Sequence, residues 1–153
     1  EIFVVLETDE HAVAAESRAP ARLLVPRSGT GGCRAPVAAN AVGSLQVAGQ
    51  GGVPATGVAA VILNVTVTAA KAAVYLTAYP SGTTRPTASN LNFVAGDVRS
   101  NLVVVGLGET SILQNGFDIY NAYGDVDVVI DLVGGFDRGD GADYTDTNPQ
   151  SPR

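Results

Sequence analysis

The residues that could carry chemistry are few, and most sit at spacings that do not support it. Nucleophilic catalysis of the Ser-His-Asp or Cys-His kind needs an imidazole held in rigid surroundings. The only histidine, His11, lies among alanines and charges in a stretch with no sustained alternation, so that chemistry is not expected. Acidic pairs come next. Asp127 and Asp131 fall on one face of an extended segment, about 13 Å apart and beyond the range of a glycosidase pair. Asp125 and Asp127 fall about 7 Å apart, inside the inverting range, and are the one enzymatic outlier, but nothing in the sequence suggests an acid with a raised pKa, so they read as a solvated strand face. Asp137, Asp140, Asp143 and Asp146 recur every third residue, whereas an EF-hand loop spaces its ligands two apart and ends on glutamate. Asp137, Asp140 and Asp143 therefore amount to a weak calcium site at most, beside the plainer reading of a solvated acidic tail. Arg138-Gly139-Asp140 spells an integrin-binding tripeptide, but in a glycine- and aspartate-rich tail it reads as chance. Tyr75, Thr77 and Tyr79 share one face of a strand pattern, with Asn90 and Asn92 on an adjacent polar strip. Such a strip could stack a sugar ring and hydrogen-bond its hydroxyls, since tyrosine has an apolar face and a polar tip. Against it stand the absence of Trp and the general preference of aromatics for strands. Asn90, Asn92 and Asn101 also suit a local role, tying off loop backbone groups.

These side chains must be positioned by short strands. The chain has 153 residues, one domain's worth, with 18 Gly, 8 Pro and only 16% charged residues, a composition that favours strands and turns over long helices. Apolar segments recur near 22–25, 44–48, 58–68, 73–79, 88–94, 101–107, 110–114, 117–120 and 125–133, separated by turn signals such as Tyr79-Pro80-Ser81-Gly82 and Ala95-Gly96-Asp97. In the strongest, Val61, Leu63, Val65 and Val67 alternate with Ile62, Asn64, Thr66 and Thr68. Likewise Val126, Val128, Ile130 and Leu132 alternate with Asp125, Asp127 and Asp131. One dry and one wet face is the antiparallel pattern. The expected fold is all-β, a two-layer antiparallel sandwich of jelly-roll or immunoglobulin-like kind, over residues 22–136. Residues 8–21 read as a linker and residues 137–153 as a flexible acidic tail. Asn64-Val65-Thr66 matches a glycosylation sequon, but Asn64 inside a strand reads as structural.

Composition also limits partners and compartment. Nine basic against fifteen acidic residues give a net charge of −6, and Lys71 is the only lysine, so no basic stripe exists for nucleic acid. No apolar stretch approaches the roughly 20 residues of a membrane-spanning helix. Cys33, alone in Thr30-Gly31-Gly32-Cys33-Arg34, allows neither an internal disulfide nor a multi-cysteine metal site. It reads as an unpaired loop thiol, with intermolecular pairing as the alternative. No cofactor is expected. The start at Glu1 without Met suggests a processed form or one domain of something longer.

Ordered landmarks run from Arg22 to Phe136: Arg22-Leu23-Leu24, Gly52-Val53-Pro54, Leu63-Asn64-Val65-Thr66-Val67-Thr68, Tyr79-Pro80-Ser81-Gly82, Ser89-Asn90-Leu91-Asn92-Phe93, Asn101-Leu102-Val103, Tyr120-Asn121, and Val126-Asp127-Val128-Val129-Ile130-Asp131 ending at Gly134-Gly135-Phe136. Together they resemble a recurring β-rich accessory module of secreted and cell-surface actinobacterial proteins, often appended to hydrolases. The resemblance implies an extracytoplasmic location and an accessory role, and brings no activity to named residues. Two departures stand out. Leu24-Val25-Pro26-Arg27 replaces the module's Leu-Leu-Asp-Thr-Arg opening and loses a carboxylate that could pair with the arginine. Gly134-Gly135-Phe136 replaces its closing Gly-Tyr-Phe.

One segment is detached from this pattern. Ile2, Phe3, Val4, Val5 and Leu6 form an apolar run between Glu1 and Glu7, read as an N-terminal strand over 1–7. A free strand would leave apolar surface and unpaired amides in water, so it must dock. It can close an edge of its own sheet, belong to an upstream domain, or add to the edge of a neighbouring copy. The expected function is thus a secreted, non-enzymatic structural module, partnered by copies of itself or by its parent chain. The alternative is a carbohydrate or cell-wall binding module using Tyr75, Thr77 and Tyr79.

Overall fold

A computed structural model of the chain describes residues 15–24, 36–108 and 115–137. Within them lie eight strands: β1 (Ala15–Leu24), β2 (Ala41–Gln46), β3 (Val58–Thr68), β4 (Val74–Pro80), β5 (Leu91–Phe93), β6 (Arg99–Gly106), β7 (Gly116–Asn121) and β8 (Asp127–Asp137). They build two four-stranded sheets, ordered β1-β8-β3-β6 and β2-β7-β4-β5. Every ladder is antiparallel. This is the two-layer all-β sandwich that the alternation predicts. No described helix is long and apolar enough to cross a membrane.

The long central strands behave as their residue types dictate. β-Branched side chains fit a pleated, half-buried surface, and Val61, Leu63, Val65 and Val67 of β3 are buried while Ile62, Asn64, Thr66 and Thr68 remain half-exposed. β3 ends where the backbone turns left-handed, at Gly57 before it and Ala69 after it. Val128, Ile130 and Leu132 of β8 point into the same interior, which Leu45, Leu76, Phe117 and Ile119 fill from the other sheet. The sheets are thus held face to face by buried apolar area, the main stabilising term in folding.

Two expectations about extent are corrected. Half of the expected linker is strand: β1 begins at Ala15, and Ala15 lies opposite Phe136. The composition of 15–21, with alanines and Pro20, carries little strand preference of its own. Backbone pairing to β8 supplies it, and the register slips between Ser17 and Ala21, the interval that contains Pro20, which has no N–H to give. At the other end β8 continues to Asp137, opposite Val58, so Asp137 belongs to the sheet rather than to a tail. The expected strands at 1–7 and 110–114, His11, Cys33 and the rest of the tail lie outside the described residues.

Candidate functional site

The tyrosine strip forms on the second sheet, on the face opposite the core. In β4, Val74 and Leu76 turn inward, which sends Tyr75, Thr77 and Tyr79 to the other side. The neighbouring β7 places Tyr120 opposite Thr77 and Asp118 opposite Tyr79, adding a third ring and a carboxylate to that face. Tyr75 and Tyr120 meet with centroids 6.3 Å apart and planes tilted by 53°, within the centroid range of favourable aromatic pairs. The Tyr120 hydroxyl donates to Asn40 Oδ1 at 2.8 Å.

The strip is not an open platform. Loop 81–90 folds back across it and is fastened at several points. Thr77 donates its hydroxyl proton to the Ala88 carbonyl at 2.8 Å, and the Asn90 amide donates to the Leu76 carbonyl at 2.9 Å. Asn90 Oδ1 accepts from the Ala78 amide at 2.7 Å. Arg85 lies over the Tyr120 ring, its guanidinium carbon 3.6 Å from the centroid, a cation–π contact on a face that water would otherwise reach. Thr77 is 1% exposed and Tyr79 7% exposed, and of the three expected sugar-contacting residues only Tyr75 is more than slightly accessible. Ser81, at the start of the loop, is buried and donates to Asp118 Oδ1 at 2.8 Å. Burial pushes the Tyr79 hydroxyl up from its ordinary pKa, the Asp118 carboxylate adds to the rise, and Arg85 opposes it.

Arg85, Asp118, Tyr120, Ser81 and Asn40 were not legible as part of this face. The alternation of β4 indicates a shared strip, but no periodicity reveals a loop that folds back on its own strand. The asparagines do what short amides at strand ends do: Asn90 serves the Ala78 amide, Asn101 Nδ2 donates to the Asn90 carbonyl at 2.7 Å, and Asn92 Nδ2 donates to Ser89 Oγ at 3.2 Å.

The acidic residues are dispersed. Asp131 is held by Arg22 through two contacts, Nε to Oδ1 at 2.8 Å and Nη2 to Oδ2 at 3.2 Å, the fork geometry that suits a carboxylate. That hydrogen bond, and then the Asp131 charge, raise the Arg22 pKa. Asp127 is buried at the start of β8, and Asp125 is exposed in the turn before it. Among the described residues no group of three or more His, Cys, Asp or Glu could hold a metal ion. Of the weak calcium set, Asp137 closes β8, and Asp140 and Asp143 lie outside the described residues.

A second surface stands out on the first sheet. Of six exposed large hydrophobics among the described residues, Leu102 and Val104 lie on β6, and Val94 and Val98 on the turn leading into it. Among the described residues β6 is an edge strand, paired only with β3. Comparison with protein-family models, with curated proteins and with solved structures finds no match to this chain.

Proposed function

We propose that this chain is a non-enzymatic module of a secreted or cell-surface protein, and that it works by association with copies of itself through the N-terminal segment Ile2–Leu6. The observation that carries this is the concentration of exposed apolar side chains, Val94, Val98, Leu102 and Val104, on and beside one open sheet edge. An edge strand with unpaired amides and apolar side chains invites another strand, and Ile2-Phe3-Val4-Val5-Leu6 has the apolar, β-branched composition to supply one. Low charge and a single lysine leave few of the gatekeepers that normally oppose edge pairing.

Light scattering on the eluting full-length protein, together with electron microscopy, tests this. Mass should rise with concentration for the full chain and stay at one copy when residues 1–7 are deleted. A full chain that remains monomeric up to concentrations near a millimolar refutes it. The alternative, carbohydrate or cell-wall binding by Tyr75, Thr77 and Tyr79, has less support because Thr77 and Tyr79 are buried, Thr77 beneath loop 81–90.

A further inference from the structure

The two sheets leave four edges, and they differ sharply as strand acceptors. β1 contains Glu16, Arg18, Pro20 and Arg22 and has two register irregularities. Charges, proline and bulges are the features that blunt an edge. β5 is three residues long. β2 alternates one exposed valine, Val42, with Ser44 and Gln46, so its outer face is mixed. β6 is eight residues of Arg-Ser-Asn-Leu-Val-Val-Val-Gly with unbroken register to β3 and neither proline nor lysine. Among the described residues, its outward amides and carbonyls have no backbone partner.

Over residues 102–105 β6 is also apolar on both of its faces. Val103 and Val105 are buried inward, while Leu102 and Val104, at 57% and 58% exposure, stand outward. A strand laid beside it must therefore be apolar at consecutive positions rather than alternating. Ile2-Phe3-Val4-Val5-Leu6 has that property, whereas a one-sided surface strand would not. The run is flanked by Glu1 and Glu7, and when Val4 is set opposite Leu102 one glutamate falls at Arg99, the only charge on β6, in either direction of pairing.

We propose that the β6 edge accepts residues 2–6 of a second copy in antiparallel register, with Glu7 opposite Arg99. The site presupposes the self-association proposed above and names where it occurs. In this register Val4 pairs with Leu102 and Ile2 with Val104 on the outer face. Phe3 and Val5 turn inward, where β5 lies against β6, and close that seam. Geometry favours a second copy over the chain's own segment. Ala15, Phe136, Ala60 and Gly106 form one row across the sheet, so the chain enters β1 at the Gly106 end. Its own residues 2–6, arriving from that end, would run parallel to β6, the weaker pairing. Antiparallel docking in cis would need a diagonal of about 28 Å, nearly all of the roughly 31 Å that the links from Leu6 to Ala15 can reach. A second copy approaches without that constraint.

The test is disulfide trapping in full-length chains carrying Cys33→Ser. Chains with Val4→Cys are mixed with chains carrying Leu102→Cys and mildly oxidised; a cross-linked heterodimer is expected, and a mixture with Val42→Cys on the β2 edge should give none. Leu102→Lys with Val104→Lys should weaken self-association at least about tenfold while leaving the melting curve cooperative, since both side chains are exposed. Cross-linking to Val42→Cys, or a monomer with an internal disulfide when Val4→Cys and Leu102→Cys share one chain, overturns the β6 site. So does assembly that disappears on deleting residues 1–7 but survives the double lysine variant. In that last case self-association stands and only its address is wrong, whereas a monomeric wild-type chain removes both.

Discussion

Asn121 shows how much one amide can organise. It occupies an inward position of β7, opposite Leu76, and is fully buried. Its Nδ2 reaches the carbonyls of Val37 at 2.8 Å, Ala38 at 3.2 Å and Gly124 at 2.5 Å. The reversed amide would set an oxygen against three oxygens, so the orientation is determined by its neighbours. These contacts tie the segment before β2 to the turn before β8, where Val37 and Val126 also exchange backbone hydrogen bonds. Asn121→Asp should cost at least about 3 kcal/mol at neutral pH, because a buried carboxylate would face three carbonyl oxygens where the amide now donates. The introduced carboxyl would have its pKa raised in the folded state, so the deficit should narrow as pH falls toward the ordinary carboxylate range. Urea melts at neutral and mildly acidic pH read both effects. Asp97 illustrates the opposite sign. Its carboxylate accepts from the Val94 amide at 3.2 Å and from Arg99 Nε at 2.8 Å, and these hold its pKa below the ordinary value. The stability it lends is therefore present above the unfolded carboxylate pKa and is lost as pH falls through the lower folded value. Because the amide is the larger cause, Arg99→Ala should move the Asp97 midpoint upward yet leave it depressed, which a carboxyl-carbon NMR titration resolves.

At the scale of elements, close approach matters as much as turn geometry. Gly108, just after β6, bridges Gly116 at the start of β7, and a Cβ there would overlap the Ser81 carbonyl oxygen. No side chain can yield to relieve that contact, since the obstacle is backbone. Gly96, in the turn between β5 and β6, has φ of +80° but nothing within 4 Å of where a methyl group would stand. Gly108→Ala should therefore cost about 3 kcal/mol and loosen the end of β4, while Gly96→Ala should cost only about 1 kcal/mol through backbone strain. Equal losses in thermal melts would show that packing against Ser81 contributes nothing. The two glycines also mark what a sequence can convey. Gly96 sits in Ala95-Gly96-Asp97, a turn signal on its face, whereas Gly108 is demanded by a strand end far away in the chain. The same division holds for the strands. β3 was legible to its end residues because its β-branched alternation is long and bounded by turns. β1 was not, because its partner β8 decides that 15–21 is extended. On the tyrosine face the alternation of Tyr75, Thr77 and Tyr79 was readable, but the covering loop and Arg85 depend on contacts that only the folded chain makes.

For the whole molecule, the pairing of β1 with β8 joins the first and last described strands, Ala15 to Phe136. Such long-range pairing makes folding slow, since the connecting chain must be ordered before the contact stabilises anything. It also sets where the folding unit begins. A chain starting at Ala15 keeps β1 complete and should melt cooperatively, within a few degrees of the full protein. A chain starting at Arg22 keeps the buried Leu23 and the Arg22–Asp131 pair but strips β8 of its partner over Leu132 to Phe136. That truncation should lower stability by about 1–3 kcal/mol, the net of several lost backbone hydrogen bonds and the entropy regained by the released residues. It should also expose a second open edge beside Gly134 and Gly135, so aggregation ought to accompany the lower melting temperature. Identical melts for the two chains would mean that 15–21 adds no stability and that the unit starts at Arg22. The chain starting at Ala15 serves a further purpose: with its fold intact and residues 2–6 gone, any oligomer it still forms must use surfaces other than the donated strand.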